Sequence, residues 1–206
     1  MLIRQITQRL CEINSYLAGS KHGTPSFEEV LPLSLFYRDF SDTNVLVREA
    51  SCLAKESPET LLDLSVSLLS EADRYFSTDR ASLYTTDFEA LFREHLKPFE
   101  LRYEEAREAA AGLWRNYSAT SNRLDFLPQD SDEYKTLHTE SEAVKEAYEE
   151  LRARASLLYN EWHLEGKKHY CLCCFRQMFL DVLVERLQGI SRSIISDIRH
   201  MKEDKS

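Results

Sequence analysis

The sequence predicts an all-α protein, and three observations carry that reading. A heptad stripe runs through Tyr134, Leu137, Ser141, Val144, Tyr148, Leu151, Ala155, Leu158 and Trp162, stepping by 3 and 4 without a slip. Such spacing makes one long helix with a seam that seeks another helix. The preceding segment does the same through Phe99, Tyr103, Ala106, Ala110, Leu113, Tyr117, Thr120, Leu124 and Leu127. Finally, 206 residues include only five Gly and five Pro, so turns are scarce and the elements must be few and long.

Taken in order, Ile3, Ile6, Leu10, Ile13 and Leu17 predict a first helix ending near Gly19, with Gly23 and Pro25 in the loop after it. Ser26 and Glu29 have capping-box spacing, although Pro32 predicts only a short helical turn. The apolar run Leu33 to Phe40 fits either an extended segment or a helical turn, and Asp42 to Ala54 reads as a helix. Ser57-Pro58 is a helix start, since Ser caps and Pro at the first helical position has no amide hydrogen to waste. Thr86 and Glu89 make a second capping box that opens a helix through Phe88, Phe92 and His95. Pro98 predicts either a kink or a break, and the apolar phase carries through it.

Three long helices are expected after that, at about 98–127, 131–165 and 167–202, each roughly 45–55 Å long. The turns are placed at Asp125–Ser131 and at Gly166. The expected architecture is a long, coiled-coil-like antiparallel three-helix bundle at 98–206, with a lobe of shorter helices at 1–97 packed on it or continuous with it. Folding back about Gly166 would set Glu133 against Arg199, Lys135 against Asp197, Glu140 against Arg192 and Glu146 against Arg186. The net charge of −6 over 128–150 and +3 over 151–206 would then be mutually compensating.

The formal charge of −9 argues against a nucleic-acid partner, because phosphate neutralisation needs a concentrated Lys/Arg surface. Runs free of charge are too short for a transmembrane segment, and the first residues lack the basic-then-apolar order of a secretory signal, so a cytoplasmic location is expected. Five cysteines are an odd number without framework spacing, and free thiols are expected. The glycines never reach the spacing of a phosphate loop or dinucleotide fingerprint, and no Gly-x-Ser-x-Gly or calcium loop occurs. Nor do Glu-x-x-His pairs lie on two helices, as a di-metal carboxylate bundle requires.

Two places remain where chemistry or binding is expected. His163, His169, Cys171 and Cys174 have zinc-type ligands at poor spacing, and with Cys173 the thiols read better as small core hydrophobes. Trp162, Lys167, Lys168 and Tyr170 surround Gly166, where they would either plug the end of a seam or meet a partner protein at a hairpin tip. The functional expectation is a non-enzymatic adaptor, scaffold or chaperone-like protein, without cofactor, acting through protein contacts as a homo-oligomer or in a larger assembly. The alternative is a ligand- or metal-dependent helical protein using the His163–Cys174 cluster.

Overall fold

A computed structural model describes residues 1–19 and 23–203. It is all-α: eight helices account for 88% of these residues, and no strand occurs among them. The chain divides into two compact units, Met1–Leu91 with Tyr170–Ser206, and Phe92–His169.

The first unit is built on α1 (Leu2–Gly19), α2 (Phe27–Phe40), α3 (Thr43–Glu56), α4 (Pro58–Ser77), the single turn α5 (Ala81–Tyr84) and α8 (Gln177–Glu203). Helix α4 is its centre and packs against α1, α3 and α8. The stripe Ile3, Ile6, Leu10, Ile13 and Leu17 is buried, as its period requires, against a helix whose own Leu61, Leu68, Ala72 and Tyr75 are at most 1% exposed. From α8 come Leu180, Leu183, Val184, Leu187, Ile195 and Ile198. The first amides of α1 have no intrahelical acceptor, and Glu49 of α3 supplies one across the fold, accepting from Leu2 N at 2.8 Å and Ile3 N at 3.0 Å.

Several local signals act as expected and several do not. The Ser26/Glu29 capping box is formed in both directions. Pro32, however, lies inside a 14-residue helix that absorbs the Leu33–Phe40 run. It sits early, so the missing amide costs a single bond near the helix start, and the buried Phe27, Val30, Leu33 and Phe36 hold the helix together across it. Ser57 makes no capping bond to the backbone of α4; its hydroxyl goes to Thr60 Oγ1 at 2.7 Å. The second box is displaced by one residue. Asp87 Oδ1 accepts from Glu89 N and Ala90 N, while Thr86 bonds back to Ser82 O.

The second unit comes from α6 (Phe88–Leu124) and α7 (Asp132–Cys173), antiparallel about the expected Asp125–Ser131 turn. Helix α6 continues through Pro98. Ser131 Oγ accepts from Tyr134 N at 3.1 Å and so caps α7. The two stripes read from the sequence face each other, with Tyr103 against Trp162 at 5.5 Å between ring centroids, and Trp114, one place off the stripe, meets Tyr148 at 5.2 Å.

The turn expected at Gly166 does not exist. Helix α7 runs through that glycine to Cys173, and the helical run is interrupted at Cys174–Arg176 instead. An isolated glycine costs a helix only about 1 kcal/mol, whereas the break is enforced by anchoring: Leu172 and Phe175 are 0% and 2% exposed. The charge pairs expected from a fold about Gly166 are replaced by others. Glu133 lies 3.9 Å from Arg123, Lys135 lies 3.8 Å from Asp132, and Arg192 lies 3.7 Å from Asp73. Helix α8, expected as the third member of the long bundle, instead packs on α4.

Candidate functional site

A groove on one side of the α6–α7 hairpin is the candidate site of the second unit. Its floor is Ala110 and Ala155, both buried, where the seam is thinnest. Small seam residues let the helix backbones approach, and the larger neighbours then stand up as walls. Tyr103 and Tyr159 close one end, 5.5 Å apart, and Trp114 and Tyr148 the other. The volume is about 700 Å³.

Two arginines rim this aromatic trough. Arg107 pairs with Glu104 at 2.5 Å and lies over the Tyr103 ring at 6.0 Å. Arg152 has no ion pair among the described residues, which leaves a full guanidinium beside exposed aromatic surface. Trp114 is 49% and Tyr159 43% exposed. Of the two nine-position seams, the buried residues are the small ones, Ala106, Ala110, Ser141 and Ala155. Their large members, including Tyr103, Leu113, Tyr148, Leu151 and Leu158, are only half-buried. The two helices therefore leave the large members of the seam partly exposed.

The residues singled out around Gly166 fall along one continuous helix, so they form no hairpin tip. Trp162 is a seam residue, stacked on Tyr103 and meeting Tyr159 edge-on at 6.1 Å. Its buried Nε1 has no hydrogen-bond partner among the described residues. Lys167 is exposed, Lys168 pairs with Glu165 at 2.5 Å, and Tyr170 is 77% exposed. Because a lone buried N–H is costly while the stacked rings stabilise, Trp162→Phe is expected to leave hairpin stability unchanged or up to about 1 kcal/mol higher. Trp162→Ala should lose about 3 kcal/mol. Thermal melts of the two variants give the comparison, and a loss above about 1 kcal/mol for the Phe variant would mean the indole N–H is satisfied.

The cluster His163, His169, Cys171 and Cys174 is dispersed. His163 stacks on Tyr159 at 5.9 Å and His169 on Phe92 at 4.0 Å. Cys171 is half-buried with its Sγ 3.7 Å from Arg38 Nη1, and Cys174 is exposed. The thiols of Cys171 and Cys174 are therefore not core hydrophobes, since Leu172 and Phe175 occupy the buried positions between and beside them. The side chain of Cys173 lies outside the described part of the structure. Among the described residues, no three His, Cys, Asp or Glu side chains come together as a metal site.

At the open end of the hairpin the seam turns polar. His95 Nε2 lies 3.0 Å from a Glu165 oxygen, and Lys168 lies 2.5 Å from the other. Burial pushes the Glu165 carboxyl up, but hydrogen bonds and charge from Lys168 and His95 outweigh it and hold the group below its ordinary value of 4.5. A carboxylate depressed in the folded state adds stability that is present above its unfolded pKa and lost as pH falls through the folded one. The expected result is an acid-side loss of hairpin stability, followed by urea unfolding between pH 6 and about pH 3, that Glu165→Gln flattens. An unchanged acid limb in that variant would assign the loss to other carboxylates.

No family model matches this chain, and comparisons with curated proteins and with solved structures find no match either. Among the described residues, no helix is long and apolar enough to cross a membrane.

Proposed function

We propose that the protein works by association, as a non-catalytic helical adaptor or scaffold whose contact element is the α6–α7 hairpin. The observation that carries this reading is the groove at Ala110 and Ala155, where half-exposed Tyr159 and Trp114 stand beside the unpaired Arg152. Aromatic and arginine side chains are enriched where binding energy concentrates, and rigid rings lose little entropy when covered. The half-buried seam supports the same reading, because helices that incompletely cover their apolar stripe are completed by another helix.

The test is quantitative cross-linking and co-purification of the full chain from its native source, compared with a Trp114→Ala/Tyr159→Ala double variant. These side chains are substantially exposed, so folding should survive and circular dichroism should match the parent. Partners retained by the parent and lost by at least about tenfold in the variant support the proposal. An identical partner set in both proteins overturns the assignment of function to this groove.

A further inference from the structure

We infer that the groove face of the hairpin is an interface for a second copy of this chain, packed antiparallel about a two-fold axis at the level of Ala147. This rests on the reading of the hairpin as an association element and names its partner. The face follows one stripe of α7, numbered 135, 138, 142, 145, 149, 152, 156 and 159, each a neighbour of a seam position. Along it the charges run Glu142, Lys145, Glu149, Arg152. Rotation about Ala147 sets Glu142 against Arg152 of the other copy, five residues to either side, and Lys145 against Glu149, two residues to either side. Each pair occurs twice in a two-fold dimer, because an isologous contact is made reciprocally.

Register is the informative part. On the same stripe, the rotation places Lys135 opposite Tyr159 and His138 opposite Ser156, so no like charges meet. Sliding one heptad toward the turn keeps Glu142 against Lys145 and sets His138 against Glu149 but puts Lys135 against Arg152, and sliding one heptad the other way leaves only the Glu149–Arg152 contact. Within one copy, the demands on these charges are slight. Glu142 and Lys145 make a single solvated pair at 3.7 Å, and Glu149 and Arg152 make none among the described residues.

The axis also explains Trp114. It packs against Tyr148 and therefore lies at the same level as Ala147, so the two-fold brings it beside the other copy's tryptophan. Its 49% exposure in one copy is then the apolar centre of the dimer, ringed by the charge pairs. Solvated pairs are individually weak, so burial of Trp114, Tyr148 and Tyr159 drives association while the charges select its register.

Sedimentation equilibrium of the full chain should show a monomer–dimer equilibrium. Arg152→Glu and Glu142→Arg should each weaken it by about tenfold, since either places two like-charged contacts in the interface. The combined Arg152→Glu/Glu142→Arg protein should recover to within about threefold of the parent. Circular dichroism checks that each variant keeps its helices. A protein that stays monomeric, or a dimer that ignores Arg152→Glu, overturns this inference. Either outcome leaves the adaptor proposal to its own partner comparison, so the two fail separately.

Discussion

Removing the Asp181 carboxylate is expected to cost about 3 kcal/mol of folding stability. Asp181 on α8 accepts from the Tyr75 hydroxyl of α4 at 2.7 Å, from the Gln177 amide at 3.2 Å and from the hydroxyl of Tyr84, and it lies 3.5 Å from Arg80 Nε. Tyr75 is 0% exposed; burial first, and then its bond to Asp181, push the phenol above its ordinary value, so it stays a proton donor. Arg80 is held over the Tyr75 ring at 4.4 Å, donates to Tyr75 O, and has only 12% of its side chain exposed. Asp181→Ala leaves a phenol without an acceptor and a largely buried guanidinium without a counter-ion, and each such orphan carries its desolvation cost.

Chemical denaturation of three variants separates the contributions. Asp181→Asn keeps an acceptor for Tyr75 and should lose less than alanine does. Tyr75→Phe should lose about 1–2 kcal/mol, and the Tyr75→Phe/Asp181→Ala pair should fall short of additivity by about 1 kcal/mol. A loss under about 1 kcal/mol for Asp181→Ala would mean that solvent reaches the cluster and replaces the carboxylate.

This cluster was not legible in the sequence, and the reason is physical. Its members stand at 75, 80, 84, 177 and 181, and nothing in the local spacing of Tyr75 distinguishes a phenol with a polar partner from one more apolar residue on α4. The helix seams were legible because period is a local property: the two nine-position stripes, on α6 with the turn after it and on α7, are buried or half-buried throughout. What periodicity could not supply was the partner of each stripe. Beyond Trp162 the seam of α7 continues as Glu165 and His169, which meet His95 and Phe92. Polar residues at seam positions look like the end of an apolar stripe, and a glycine beside them looks like a turn. The thin seam at Ala106 and Ala110 was visible as a gap in the run of large residues, but Trp114 was not, since it stands one place off the stripe.

Gly166 provides the sharpest test of where the helix ends. In a continuous α7, a Cβ added at Gly166 meets nothing within 4 Å, and the backbone there is helical. Gly166→Ala should therefore stabilise the protein by about 0.5–1 kcal/mol, by lowering the entropy of the unfolded chain and raising helix propensity. Gly166→Pro should cost about 3 kcal/mol or more, because the ring removes an amide hydrogen and clashes with the carbonyl of Trp162. That loss would fall on a stretch carrying the Tyr103–Trp162 stack and the His95–Glu165 contact, so both should weaken together. A turn at Gly166 predicts the reverse order, with alanine harmful and proline mild. Urea unfolding of the two variants beside the parent decides between them: stabilisation by alanine with a large proline loss fits the helix, and the opposite ranking would restore the turn.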